Sequence, residues 1–158
     1  MFIIDGHNLL HSIVKIGEDA ESISDVQLCY VVGRYLKAIG ETGQIVFDGT
    51  GPQDKSRFDN IENLEVFFAG MGNDADTLIE DKIRASTAPK RLSMVSSDRR
   101  LRDAARARKA TIVKSQVFWN NIRKQLKQKK TIKEPPAKRL GLNQSETKQW
   151  LKYFGLNQ

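Results

Sequence analysis

Four short apolar runs in this chain each lead into an aspartate. They are FIID at 2–5, QIVFD at 44–48, LEVFFAGMGNDAD at 64–76 and SMVSSD at 93–98. Runs this short, bounded by turn residues, suit strands buried on both faces. The segments between them carry apolar residues at helical spacing, and strands alternating with helices predict an α/β fold with a parallel sheet covered on both sides. Ligands in such sheets sit beyond the carboxyl ends of the strands. The pattern puts Asp5, Asp48, Asp76 and Asp98 there, so the sequence predicts an acidic pocket at one edge of the sheet.

In chain order, Phe2–Ile4 reads as a strand. Gly6 permits a sharp turn, and Asn8–Ile16 reads as a helix with Leu9, Leu10, Ile13 and Val14 facing in. After a polar connection over 17–24, Ser24 or Asp25 caps a helix over Val26–Ile39. Cys29, Val32, Leu36 and Ile39 recur there at helical spacing, which places Cys29 in the core. Ile45–Asp48 is the second strand, followed by a long polar loop over 49–60, a length often associated with function. Leu64–Ala69 is the third strand. The next helix starts near Asp74 with Ala75, Leu78, Ile79 and Ile83 inside. Leu92–Ser96 is the fourth strand, and Ser97 or Asp98 caps a basic helix over Arg99–Lys109. A short strand, Ala110–Val113, leads to a helix over Gln116–Lys127 with Val117, Phe118, Ile122 and Leu126 turned to the core.

The length of 158 residues suits one folded body, here residues 1–127, followed by a basic linker at 128–142 and an amphipathic helix at 143–158. That last helix carries Trp150, Leu151 and Phe154 on one face. It is too short to stand alone, so it must dock on the body, on a second copy or on a partner. A homodimer through it is one expectation. The net charge of +7 is uneven: residues 122–158 hold ten Lys/Arg and two acids, +8, leaving −1 for residues 1–121. A neutral body with a cationic tail points to a polyanion, nucleic acid first. A single cysteine excludes an internal disulfide and suits a reducing, cytoplasmic setting. No apolar run is long enough for a membrane helix. The opening residues lack the basic region of a signal peptide and meet an acid at once, so they are not expected to be one, and Met1 is expected to lie directly on the first strand.

Carboxylates converging from separate strand ends repel one another unless a cation neutralises them. Hard oxygen donors, with no Cys/His set beside them, select Mg²⁺ or Mn²⁺. Such a cation facing a polyanion suits phosphodiester hydrolysis. A single strand-ending Asp says little, because Asp is a common turn and cap residue; four at matched positions are harder to explain as caps. Asp74 is placed to cap its helix, whereas Asp76 lies inside the first turn, where no cap is needed. Glu80 lies one turn beyond Asp76, either as a supporting ligand or as a solvated glutamate. Asn8 and Ser96 are the right types to orient a carboxylate or a water. His7 lies beside the pocket as a candidate substrate contact, while His11 reads as surface.

These residues resemble the NYN domain ribonucleases, the YacP-like branch of the PIN-like nuclease superfamily. The matching pieces are IIDGHN at 3–8, VFDG at 46–49, ADTLIE at 75–80 and SSDR at 96–99, in the family's order. They cover about residues 1–118 and leave the tail from about 128 outside. The resemblance implies a PIN-like three-layer α/β/α sandwich and a metal-dependent RNA endonuclease. It makes Asp5, Asp76 and Asp98 metal-binding acids, Asn8 their polar companion, and Asp48 the acid after the second strand. His7 stands where the family commonly has tyrosine.

RNA would then lie along the basic residues nearest the acids. Arg99 and Arg100 begin the basic helix, where backbone N–H groups also attract phosphate. Lys55 and Arg57 sit in the loop after Asp48. Lys129 and Lys130 in the tail add salt-sensitive attraction. Trp119 is open to either base stacking or burial. Three other readings compete. A non-catalytic RNA- or ribosome-binding module would share the fold. Self-association through the tail helix is compatible with either. A phosphatase of the haloacid dehalogenase kind, suggested by FDGT at 47–50, lacks its nucleophile because Val46 stands in that place.

Overall fold

The computed structural model describes residues 1–16 and 23–128. Strands and helices alternate along them: β1 (Phe2–Asp5), α1 (Gly6–Ile16), α2 (Asp25–Ala38), β2 (Gly43–Phe47), β3 (Leu64–Phe68), α3 (Ala75–Ala85), β4 (Ser93–Val95), α4 (Arg99–Ala107), β5 (Thr111–Val113) and α5 (Ser115–Gln128). The strands form one sheet in the order β3-β2-β1-β4-β5. Every neighbouring pair is parallel, so the sheet is wholly rather than mostly parallel.

The chain walks outward from β1 to β3, then returns past β1 to β4 and β5. Right-handed crossovers force the helices of the two walks onto opposite faces. One face accordingly buries Ile4, Leu9, Leu28, Leu36, Ile45 and Phe118 beneath α1, α2 and α5. The other buries Ile3, Val46, Ile79, Ile83, Met94 and Leu101 beneath α3 and α4. This is the expected three-layer α/β/α sandwich. Strand alternation puts Ile4 on the first face and Ile3 on the second, so Asp5 follows Ile3 toward the α3/α4 side. The strand order reverses at β1, which makes its carboxyl end the switch point where such sheets bind ligands.

The start of α1 differs from the sequence reading. The helix begins at Gly6 rather than at Asn8, with no intervening loop, and Asp5 takes up a free N–H of the first turn: the Asn8 N–H donates to Asp5 Oδ1 at 3.3 Å. Gly6 is required by packing, since a Cβ there would strike the buried Phe47 ring. Ser24 caps α2 in a reciprocal pair with Gln27. Asp74 and Asp98 cap α3 and α4.

Three apolar residues sit differently from expectation: Val14 and Val117 are half exposed, and Ile39, which closes α2, is 39% exposed; Trp119, open to either reading, is fully buried. On α1 the inward stripe runs through Leu9 and Ile13, and the next residue turns about 100° away from it. On α5 the stripe runs through Phe118, Ile122 and Leu126; Trp119 borders it while Val117 lies on the far side. Cys29 is buried in the core, as its spacing predicted. The loop after β2 is not structureless. Gly49 and Gly70, at φ of 76° and 87°, let the ends of β2 and β3 turn and join in an antiparallel bridge. A 3-10 turn at Ser56–Phe58 then buries Phe58 edge-on against Phe68. No helix among the described residues is long and apolar enough to cross a membrane.

Candidate active site

The carboxyl end of β1 carries Asp5, only 7% exposed. Its Oδ1 accepts the Asn8 N–H, and its Oδ2 accepts the Ser96 hydroxyl at 3.2 Å. Burial pushes its pKa up to about 6, and the negative charges of Asp76 and Asp48 add to the rise against the two hydrogen bonds. Asp48 follows β2. Its Oδ1 accepts the Ala75 N–H at 2.7 Å, tying the acid to the first turn of α3. Its own N–H donates to His7 Nδ1 at 3.3 Å, and the same ring nitrogen lies 3.4 Å from Oδ2.

Asp76 lies in the first turn of α3. Its pKa is raised by burial first, then by Asp98, with Asp74 and Asp48 adding and Arg100 opposing. Asp74 plays the capping part: it accepts the Thr77 N–H at 2.6 Å, and that hydrogen bonding holds its carboxyl below the usual range. Asp98 follows β4, accepts the Leu101 N–H at 3.2 Å as the cap of α4, and donates its own N–H to Ser96 Oγ at 3.0 Å. The structure thus brings the four acids to one end of the sheet, within electrostatic reach of one another.

Two observations bear on a cation there. The donors are all hard oxygens, neighbouring acids help to raise the pKa of Asp5 and of Asp76, and no Lys or Arg among the described residues ion-pairs with Asp5, Asp76 or Asp98. That chemistry fits a hard divalent cation. Yet no three His, Cys, Asp or Glu side chains among the described residues stand close enough to form a ready-made metal cage. The pocket has the charge for a cation, with its carboxylates spread apart.

The basic residues are less uniform than the sequence suggested. Arg99 is almost fully exposed, 3.8 Å from Asp103. Arg100 is engaged: its guanidinium grips Glu80 at 2.8 and 2.9 Å and reaches Asp74 at 4.0 Å. Glu80 is therefore an anchor between α3 and α4, also 3.6 Å from Arg84, and its hydrogen bond to Arg100 lowers its pKa. Lys55 lies over the Phe68 ring at 5.2 Å, and Arg57 is exposed on the 3-10 turn. Lys129, Lys130 and the tail helix fall outside the described residues. Sequence reasoning missed two features. One is the Arg100–Glu80 pair, whose members lie on different helices. The other is a clasp on Asn8, whose Oδ1 accepts the Ser97 N–H at 2.9 Å and the Ser115 hydroxyl at 2.7 Å. A serine opening the last helix was the only trace of that clasp.

A wholly parallel sheet with its order reversing at β1, and acids gathered at that strand's end, defines a PIN-like α/β protein. The chain belongs to the family of the YacP-like NYN domain, whose model matches residues 2–154. The match runs through the tail, which corrects the expectation that the likeness stops near residue 118. Among solved structures, the chain is similar to Rae1 (YacP) from Bacillus subtilis, with 19% identity and a TM-score of 0.67 over 97% of this chain and 93% of that one. A mutant of the same protein matches at 16% identity and a TM-score of 0.61, over 97% of this chain and 91% of that one. No curated protein matches the chain significantly.

Proposed function

We propose that this protein is a divalent-metal-dependent RNA endonuclease acting at the carboxyl end of β1. The observation that carries the reading is the set of acids gathered there: Asp5 is buried and Asp76 partly so, neighbouring acids raise the pKa of both, and no Lys or Arg among the described residues forms an ion pair with Asp5, Asp76 or Asp98. Membership of a family in the PIN-like nuclease superfamily supports it. Asp5, Asp76 and Asp98 would hold Mg²⁺ or Mn²⁺. The cation, when bound, would lower the pKa of a water and offset charge developing on the phosphate. Asp48 braces the start of α3 through the Ala75 N–H and so fixes Asp76. Ser96 holds Asp5 and the Asp98 backbone in register.

RNA is the proposed partner, single-stranded or messenger, guided by Arg99, Arg100, Lys55 and Arg57 and by Lys129 and Lys130 in the tail. In this reading residues 1–127 are the nuclease body, 128–142 a basic linker, and 143–158 a helix that contacts the ribosome or a second copy. The proposed setting is the cytoplasm. One observation favours a non-catalytic RNA- or ribosome-binding module instead: the described residues hold no ready-made metal cage. Incubating labelled single-stranded RNA with the protein in Mg²⁺ or Mn²⁺ separates the two. The nuclease reading expects fragments that EDTA abolishes; RNA bound but intact in both metals would support the binding module.

A further inference from the structure

Asn8 was expected to help the acids as a polar companion. Its side-chain oxygen, however, is already committed. An amide oxygen has two lone pairs. Oδ1 of Asn8 accepts the Ser97 backbone N–H at 2.9 Å and the Ser115 hydroxyl at 2.7 Å. Because a backbone N–H can only donate, this fixes which end of the amide is which. Ser115 is wholly buried at the start of α5, and Asn8 itself is half-buried, so the clasp is held by packing as well as by hydrogen bonds. The other end of the amide is free. Among the described residues Nδ2 has no acceptor, and it is not sealed from solvent. Asn8 is tied to Asp5 through its backbone N–H and to Ser97, beside Asp98, through Oδ1, so the side chain that carries this free donor is anchored next to two of the acids.

We propose that Asn8 acts as a hydrogen-bond donor to a non-bridging phosphate oxygen of the RNA, not as a metal ligand, and that Ser115 is the residue that positions it. The proposal rests on the nuclease reading for its substrate. To ligate a cation, Oδ1 would have to give up Ser97 or Ser115. To meet a phosphate, Nδ2 would break neither of the bonds that Oδ1 makes. The clasp also joins three elements, α1, the turn after β4, and the start of α5, so the donor is fixed relative to both Asp5 and Asp98.

The test measures two affinities on the full chain. Mg²⁺ binding is read by calorimetry. Binding of a fluorescein-labelled single-stranded RNA is read by anisotropy, with Ca²⁺ replacing Mg²⁺ to hold back cleavage. Asn8→Ala should leave Mg²⁺ affinity within about twofold and weaken RNA by roughly tenfold or more, the loss of one hydrogen bond to a charged group. Asn8→Asp keeps an oxygen for the clasp but removes both donors, and should bind RNA no better than Asn8→Ala. Ser115→Ala should weaken RNA, Ser115→Thr should recover part of it, and Ser115→Ala added to Asn8→Ala should cost nothing further. Loss of Mg²⁺ affinity in Asn8→Ala that Asn8→Asp restores would overturn the assignment, as would unchanged RNA affinity in Asn8→Ala. Both leave the nuclease reading standing if the wild type cuts RNA. A wild type that does not cut fails that reading, while the two affinities still decide the role of Asn8.

Discussion

Replacing Asp5 with asparagine should stabilise the protein in metal-free buffer at neutral pH. Asp5 is buried, and its pKa stands near 6 in the fold against 3.8 for the free side chain. The proton is therefore bound more tightly in the folded state. Stability from the protonated carboxyl is complete below about pH 3.8 and is lost as pH rises through 6. A shift of about two units corresponds to about 3 kcal/mol. Asparagine removes the charge and keeps an oxygen for the Asn8 N–H, but the Ser96 hydroxyl loses its acceptor, at a cost of about 1 kcal/mol. The expected net gain at pH 7.5 is about 2 kcal/mol, or roughly 4–8 °C in Tm for a chain of this size. Thermal and urea melts in EDTA at pH 7.5 and pH 4 provide the assay. The advantage of Asp5→Asn should shrink to nothing at pH 4. Added Mg²⁺ should stabilise the wild type and not the variant, because a ligand bound only by the folded state adds stability by mass action. A wild type more stable than Asp5→Asn at pH 7.5 in EDTA would refute the picture of Asp5 as a strained, uncompensated acid.

Other outcomes follow from the same geometry. Trp119→Ala should destabilise the fold by about 3–5 kcal/mol in urea denaturation, because the ring is buried in the core; a ring that stacks on bases would instead lower RNA affinity with the fold intact. Arg100→Ala removes the positive charge that opposes the rise in the pKa of Asp76. Asp76 should then ionise less readily, and the acid limb of the pH–rate profile for RNA cleavage should move to higher pH. Arg99→Ala, which removes an exposed cation, should reduce the slope of log affinity against log salt for single-stranded RNA by about 0.7.

Much of the fold was legible because short apolar runs with turn residues between them have few alternatives to a parallel sheet. The positions of the acids were legible for the same reason: strand ends are where that sheet binds things. Asp76 was separable from Asp74 because a helix has one cap, and Asp74 takes it. The boundary at Gly6 was not legible, since a helix springing straight from a strand depends on Asp5 turning back to the Asn8 N–H. The facing of Val14, Val117 and Trp119 depended on how α1 and α5 are rotated against the sheet, which neighbours decide and spacing alone does not. The Arg100–Glu80 pair and the Ser115–Asn8 bond join residues 20 and 107 positions apart. Contacts at that separation leave no local pattern for a reader to find.

The most direct test of the acid cleft as a nuclease site is cleavage of single-stranded RNA in Mg²⁺ or Mn²⁺ by wild type and by Asp76→Asn, with circular dichroism to verify folding. Asp76 caps nothing and lies partly buried in the first turn of α3, so the substitution removes the charge and leaves the helix intact. The account predicts metal-dependent cutting by the wild type and a loss of at least about a hundredfold in the variant, the upper end of what losing even an outer-shell partner of a metal costs. Equal cutting by the two proteins, each stopped by EDTA, would contradict it and move the catalytic centre away from the end of β1.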